Sequence, residues 1–543
     1  MWNNAACVAK RFAALPKVNE EKKKEMLQQA NTIYKSLYVA SMKPCSSHHA
    51  IHHAHIACNW ARVLDLCKSA ETEKRLEEAV KTVEGISFTR STEDLEAFGD
   101  QKPSEEDPPL EFLILSNNLA FLKSKRGTVE DLVTAKTLYA KTLVTIQKKL
   151  DLHSMQQDYR VQHEAFSAAM TLAEILLKLM DQASSEILLK LMDQASSDDA
   201  RKELQKDAAQ NFKFAAEGFE KLLGPLNVRS VACRHSYGSV RLQQGKEAVA
   251  TLEAVAGSWE KVNMGGAAAP MLQQSLGLDR KEDVPPKLLQ KLMRARALFS
   301  AASAFKAIGM ATDPSVDTPP APAEICQKFE EVLKMNKEMG KDDSSEVFRR
   351  LKGILAMAHA ELGQLHGKEY QETRTLQQFR TTQEHFDEAL KWLPDSPADK
   401  EGHLLRCRTR FNNACLQLTA LRYADLSTWE KVSENFSLAA DGYGELTRSG
   451  KCHCQKDPRE CFYYQRAMCK FNLIKAVGKQ RDWQTVKAQQ KVFEVLCEEL
   501  KQRKDCAPPD PKWEQELKRN DRRTSIMKEG TKPSKVSDSP ESP

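Results

Sequence analysis

The sequence predicts an all-α protein built from repeated helical hairpins. Ala, Leu, Glu, Lys and Gln, which favour helices, dominate long stretches of its 543 residues. Only 22 Gly and 22 Pro interrupt these stretches, and patterns typical of strands are scarce. A pair made of a large residue and a small one also recurs along the chain, as in repeats whose helices pack closely.

The clearest copy of this pattern begins at Leu119-Ala120. Gly127 follows seven residues after Ala120, where a helix is expected to end. Ala135 and Tyr139 then form a small–aromatic pair, four residues apart, on the next predicted helix. The segment therefore predicts two antiparallel helices, and such a small module needs neighbours to bury its apolar face.

Three further copies occur along the chain. Each keeps the close-packing pair, and one of them repeats the seven-residue step from the small residue to a glycine. The copies are Asn59-Trp60-Ala61, then Tyr237-Gly238 with Gly245 and Ala250, then Leu362-Gly363 with Phe386 and Ala389.

A longer similarity joins two distant segments, residues 209–222 and 433–446. Six of their fourteen positions are identical at a constant offset of 224 residues. Either two parts of the protein are built alike, or two amphipathic helices have converged on the same pattern. The identical pairs are Asn211 and Asn435, Phe212 and Phe436, Ala215 and Ala439, Ala216 and Ala440, Gly218 and Gly442, and Leu222 and Leu446.

The pattern resembles that of the tetratricopeptide-like superfamily, and its Asn-Leu-Ala start is similar to kinesin light-chain type repeats. The match is partial, since Ser116 and Lys123 stand where the family has aromatic residues. The resemblance implies a superhelical array of antiparallel helix hairpins. It also implies that the first helix of each hairpin lines a concave surface for partner proteins.

The same resemblance implies binding residues on the first helices. In such repeats the Asn before the close-packing pair often holds the backbone of a bound peptide, because its amide both donates and accepts hydrogen bonds. A nearby Lys pairs with carboxylates. The same Asn also occurs in repeats that bind no peptide, and that alternative stays open. The predicted partner-binding residues are Asn59, Arg62, Asn117, Asn118, Phe121, Lys125 and Asn413.

Breaks rich in Pro and Gly divide the chain into predicted domains. Charged residues and Pro replace large apolar ones near the C-terminus, which predicts disorder there. That tail contains possible phosphorylation sites at Ser525, Ser539 and Ser542. The predicted domains are a basic amphipathic segment at 1–18, a helical array at 19–262, a linker region at 263–322 with a bridging helix at 287–308, a second array at 323–503 and a disordered tail at 504–543.

A tandem duplication lies within the first array. Residues 174–185 and 186–197 are the same twelve-residue sequence. In one continuous helix the second apolar stripe would be rotated by about 120° from the first. We therefore expect either a break near residues 183–185 or a helix that extends beyond the packed array, and the duplication need have no functional meaning.

Composition narrows the function classes. The formal net charge of +6 is small for this length, so we expect protein partners and no nucleic acid. No apolar run approaches the ~20 residues that a membrane span needs. The 14 Cys are scattered among helical segments, which indicates a reducing compartment and hence the cytoplasm. Residues 1–18 contain no acidic residue, and this leaves a mitochondrial location as the alternative.

Two clusters contain metal-ligating side chains, but neither has the spacing of a complete site. They are the five histidines between His48 and His55, and Cys452-His453-Cys454 with Cys461. We expect no metal and no cofactor. Motifs of phosphate-binding loops, nucleophile elbows and zinc proteases are also missing, so we expect no enzyme. The sequence thus predicts an adaptor or scaffold for partner proteins or, alternatively, a structural subunit of a large cytoskeletal, transport or organellar assembly.

Overall fold

The computed structural model is α-helical wherever it describes regular secondary structure, which confirms the predicted all-α fold. No strand occurs among the described residues. The described residues are 19–40, 56, 60, 63, 64, 116, 117, 119–121, 123, 124, 127–151, 159–182, 197–241, 245–265, 268–276, 278, 284–310, 319–338, 345–395, 400–424, 427–448, 458, 461–480, 482–503, 506–513 and 515.

The chain divides into two compact units, Met1–Asn263 and Met264–Pro543. The first unit contains α1 (Glu20–Ala40), α2 (Val129–Asp151), α3 (Tyr159–Gln182), α4 (Ser197–Leu223), α5 (Val228–Val240) and α6 (Lys246–Lys261). The second contains α7 (Ala268–Ser275), α8 (Pro286–Met310), α9 (Pro322–Glu338), α10 (Glu346–Thr373), α11 (Leu376–Trp392), α12 (Lys400–Ala424), α13 (Trp429–Thr447), α14 (Phe462–Lys479) and α15 (Trp483–Gln502).

Helices of the first unit pack in chain order from α2 to α6. Ala120, Ala135 and Tyr139 are buried in one apolar core with side chains of α3 and α4. Leu119 is also buried. The packing roles predicted for these residues are therefore confirmed. Of the tandem duplication, α3 contains most of the first copy and ends at Gln182, whereas the second copy lies outside the described residues except at the start of α4.

Glycines end the seven-residue steps as the sequence predicts. Gly127 has a φ of 71° and Gly245 a φ of 79°, values that residues with a Cβ rarely adopt. Gly127 lies just before α2, and Gly245 caps the N-terminus of α6. One detail of the pattern is wrong: Ala250 is exposed on α6, whereas Ala248 and Val249 face the interior. The register of α6 differs because Ala248 and Leu252 lie one turn apart on its buried face.

The two similar segments occupy equivalent positions within their own units. The shared Phe212 on α4 and Phe436 on α13 are both buried. A Cβ at Gly218 would overlap the ring of Phe166 on the preceding helix, and a Cβ at Gly442 would overlap Cys407, again on the preceding helix. In both α4 and α13, the glycine at the equivalent position thus allows close approach to the preceding helix. This agreement favours two parts of the protein that are built alike over chance convergence of two amphipathic helices.

In the second unit, helices pair as antiparallel hairpins. Between α10 and α11, Tyr370 contacts Phe379, Gly363 faces Phe386 and His359 contacts His385. Residue numbers therefore rise along α11 as they fall along α10, so the two helices run antiparallel. We call α8, α10, α12 and α14 the first helices, and α9, α11, α13 and α15 the second helices. The predicted bridging helix at 287–308 corresponds to α8, which packs on α7, α9 and α10.

The predicted start of the tail at residue 504 needs correction. Trp513 is buried, with its ring centroid 4.8 Å from that of Tyr464. Cys506 and Ala507 belong to the same apolar core. The Pro-rich composition of this segment predicts disorder. The large aromatic side chain of Trp513, however, packs against α14 and α15 and holds the segment in place. Most of the rest of the predicted tail lies outside the described residues.

Candidate protein-binding surface

The first helices form a row in the second unit. Lys306 on α8 forms an ion pair with Glu361 on α10, and Arg296 on α8 interacts with Arg350 on α10. The two contacts follow in the same order along both helices, so α8 and α10 run parallel. Because α10 also packs on α12, side chains of three first helices lie next to one another.

Arg350 is held in place at the N-terminal end of α10. Its Nη1 donates to the Leu276 carbonyl at 2.6 Å, and its Nε donates to Glu346 at 3.0 Å. Arg296 on α8 lies beside it. Loss of solvation, followed by the charge of Arg350, lowers the pKa of Arg296. Two guanidinium groups of neighbouring first helices thus repel each other.

Arg406 on α12 caps the end of α11. Its Nη1 donates to the carbonyl oxygens of Leu390 and Leu393 at 2.6 and 2.7 Å, which would otherwise lack partners at a helix end. The Asp395 carboxylate lies 3.0 Å from its Nε. Burial, and then the charge of Arg410, lowers the pKa of Arg406. Arg406 is therefore a structural residue, whereas Arg410 adds a second cation one turn further along the same helix.

Three histidines meet between α10 and α11. The Nδ1 atoms of His359 and His385 lie 2.9 Å apart, so one ring donates a hydrogen bond to the other. The ring of His366 stacks on that of His385, with centroids 5.4 Å apart. Gln378 donates to His366 Nδ1 at 2.9 Å. His359 and His366 lie two turns apart on α10, so the three rings do not converge on one point.

This histidine cluster predicts a loss of stability in mild acid. Burial, followed by the charges of His359 and His366, lowers the pKa of His385 to about 4. The unfolded chain therefore binds a proton near its ordinary pKa of about 6.5, whereas the folded chain resists it, and stability falls as the pH drops from about 6.5 to about 4. Because the His385 ring is partly in contact with solvent, we expect this loss in the free energy of unfolding to be about 1–2 kcal/mol.

Urea unfolding of the wild type and the His385→Gln variant at several pH values would measure this loss. The variant should show a shallower decline of unfolding free energy between pH 7 and pH 5, because one titrating imidazole is gone. Glu388 on α11 and Glu369 on α10 are present in both proteins and so do not contribute to the difference. Parallel pH profiles for the two proteins would contradict the prediction.

A cavity of about 610 Å³ lies among α13, α14 and α15. The Tyr463 hydroxyl donates to the Thr447 carbonyl at 3.0 Å, and the guanidinium of Arg503 covers the Tyr463 ring. Three acids and three arginines line the walls, so the cavity does not select a ligand by the sign of its charge. The charged lining residues are Asp441, Glu445, Glu499, Arg448, Arg466 and Arg503.

The sequence-predicted binding residues have different environments. Phe121 is 41% exposed, whereas Asn117 and Asn413 are buried with exposures of 8% and 2%. The Oδ1 atoms of both Asn side chains lack a hydrogen-bond partner among the described residues. The roles of these residues in partner binding stay predictions. The other predicted binding residues, Asn59, Arg62, Asn118 and Lys125, lie outside the described residues, as do Ser525, Ser539 and Ser542.

Of the two sequence clusters of possible metal ligands, the structure describes only one residue, Cys461. Cys461 is buried, and its Sγ accepts a hydrogen bond from the Tyr464 amide at the start of α14. The histidines between His48 and His55 and the Cys452-His453-Cys454 segment lie outside the described residues. Within the described part of the chain, no group of three ligating side chains is placed to hold a metal ion. None of the helices described there combines the length and the apolar character needed to cross a membrane.

These features define an all-α helical-repeat protein whose hairpins pack in sequence. No protein-family model matches the chain, and no curated protein matches it. Among solved structures it is similar to a circular tandem repeat protein with novel repeat topology and enhanced subunit contact surfaces, at 13% identity and a TM-score of 0.20 over 96% of this chain and 97% of that one. It is also similar to yeast Tom70, at 12% identity and a TM-score of 0.21 over 98% of both chains. Likenesses this distant carry no argument about function.

Proposed function

We propose that this protein is a non-enzymatic scaffold that binds partner proteins on the first helices of its second unit. The observation that supports this function is the row formed by α8, α10 and α12, in which neighbouring parallel helices present their side chains side by side. Rows of this kind give repeat proteins extended surfaces that fit another chain better than a small molecule.

The buried groups of the second unit also favour a scaffold over an enzyme. Burial raises the pKa values of Cys407 and Cys415 to about 12, so neither thiol forms the reactive thiolate at neutral pH. All cysteines that the structure describes are free. Free buried thiols support a reducing compartment, and we propose the cytoplasm, with a mitochondrial location as the alternative.

A structural subunit of a larger assembly is the second candidate function. Val492 and Val495 on α15 are 41% and 59% exposed. They lie three residues apart and therefore share one face of the helix. An exposed apolar face of this kind is typical of an obligate interface, whereas the polar row of first helices is typical of a transient one.

Photo-crosslinking tests the scaffold function directly. A photoreactive amino acid replaces exposed Lys368 on α10 or, as a matched control, exposed Glu384 on α11. After irradiation in cell extract, we expect covalent adducts with defined partner proteins at position 368 and few at position 384, because only the first position lies on a first helix. Mass spectrometry identifies the adducts. Equal yields at both positions, or none at either, would contradict the proposed surface.

A further inference from the structure

Charge is distributed unequally between the two kinds of helix in the second unit. Helices α8, α10, α12 and α14 have formal net charges of +5, 0, +4 and +4, a total of +13. Helices α9, α11, α13 and α15 have −1, −1, −3 and 0, a total of −5. Positive charge therefore accumulates on the first helices, although the net charge of the whole chain is only +6.

The described helices α2 to α6 of the first unit do not share this separation. Helices α3 and α5, which hold the equivalent places in its hairpins, have net charges of −1 and +2. Helices α2, α4 and α6 have +1, −1 and −1. Helices α2 to α6 pack closely without such a separation, so it is not a requirement of helix packing.

Internal contacts neutralise some of the positive charge. Lys306 is paired with Glu361, and Arg406 holds the end of α11 together with Asp395. Elsewhere cations adjoin each other, as Arg296 and Arg350 do between α8 and α10. A bound carboxylate would relieve such repulsion and form charge-assisted hydrogen bonds with the guanidinium groups.

We propose that the row of first helices binds a segment of a partner protein that is rich in Asp and Glu. This inference rests on the proposed function, since it names the chemistry of the partner that the scaffold takes. The positive row attracts the acidic segment over a distance of about 10 Å, and the guanidinium groups then pair with its carboxylates.

Nucleic acid is the other polyanion to consider, and the described residues favour protein. Single-stranded nucleic acid needs exposed aromatic side chains on which bases stack. Among the side chains that the structure describes, the exposed aromatic ones are Phe121 and Tyr159, and neither lies on these first helices.

Fluorescence anisotropy with defined probes tests the inference on the full chain. The probe is a fluorescein-labelled peptide of alternating Glu and Ser, and its neutral counterpart has Gln in place of Glu. We expect the acidic peptide to bind at about 0.05 M NaCl and to bind more weakly at about 0.3 M, because salt screens charge attraction. A labelled single-stranded RNA of equal length serves as the competing polyanion.

Two triple variants remove the same number of positive charges from the two kinds of helix. The test variant is Arg296→Gln, Lys368→Gln and Arg410→Gln, one change on each of α8, α10 and α12. The matched control is Lys334→Gln, Lys391→Gln and Lys431→Gln on α9, α11 and α13. We expect the test variant to bind the acidic peptide about tenfold more weakly and the control variant within about twofold of the wild type. Circular dichroism confirms that both variants keep their helical fold.

Three results would overturn the inference: equal weakening by both variants, equal affinity for the neutral peptide, or preferential binding of RNA. Absence of any binding to the acidic peptide would overturn it too. The proposed function fails separately, because it depends on crosslinking at position 368 with proteins of any composition. If adducts form at position 368 but the acidic peptide does not bind, the proposed scaffold function stands and only the proposal of an acidic partner segment is rejected.

Discussion

Replacing Phe436 with Ala should lower the free energy of unfolding of the second unit by about 3–5 kcal/mol. Phe436 is fully buried on α13, and its ring meets that of Phe411 on α12 edge to face, with centroids 5.7 Å apart. Truncation removes the apolar contacts of the ring and leaves a cavity that close-packed neighbours fill only in part. Hydrogen exchange of the amides in α12 to α14, measured against denaturant, would give the loss.

Two further variants make this measurement specific. Phe212 holds the equivalent place on α4 and is 2% exposed, so Phe212→Ala should destabilise the first unit by a similar amount, read from the amides of α3 and α4. Leu438 lies two residues from Phe436 but is 37% exposed, and Leu438→Ala should change stability by less than about 1 kcal/mol. A Phe436→Ala variant no less stable than Leu438→Ala would reject the assigned packing.

The second large effect is expected at Gly363 on α10. A Cβ at this position would lie 2.6 Å from two ring carbons of Phe386 on α11, closer than packed atoms approach each other. Phe386 is itself buried at 2% exposure, so its ring has little room to move. We therefore expect Gly363→Ala to destabilise the second unit by about 1–3 kcal/mol, even though Ala is the better helix former.

Gly353 provides the control on the same helix. A Cβ there would meet no atom within 4 Å. Gly353→Ala should therefore stabilise α10 by about 0.5–1 kcal/mol, through the lower entropy of its unfolded chain and its higher helix propensity. Urea unfolding of both variants should thus give shifts of opposite sign. A shift of the same sign for both would show that α10 and α11 do not approach at Gly363 as described.

The predictable part of the fold is the part that depends on local spacing. Leu362 and Gly363 are both buried on α10, and Gly363 faces Phe386 of α11, as the close-packing pair predicts. The same holds for Ala120 and Ala135 in the first unit. When a small residue recurs at a fixed helical spacing, the same face of the helix repeatedly has room for a neighbour. Such a pattern therefore predicts close contact between helices.

Features that depend on pairing between helices were not predictable in the same way. His359 and His385 are 26 residues apart and lie on different helices, so their contact follows only from the register of the hairpin. Asn413 directly precedes a close-packing pair and Asn117 lies next to one, but such a sequence position does not determine how far a side chain is buried. The charge separation is visible only when charges are counted helix by helix. In the net charge of the chain, the positive charges of the first helices and the negative charges of the second helices partly cancel.

The contact of Arg406 with the end of α11 has a consequence for the order of folding in the second unit. The carbonyls of Leu390 and Leu393 belong to one hairpin, whereas the guanidinium that binds them belongs to the next. The last turn of α11 therefore lacks these partners until α12 docks. Neighbouring hairpins should consequently form as one cooperative step, and folding should spread along the repeats from such shared contacts.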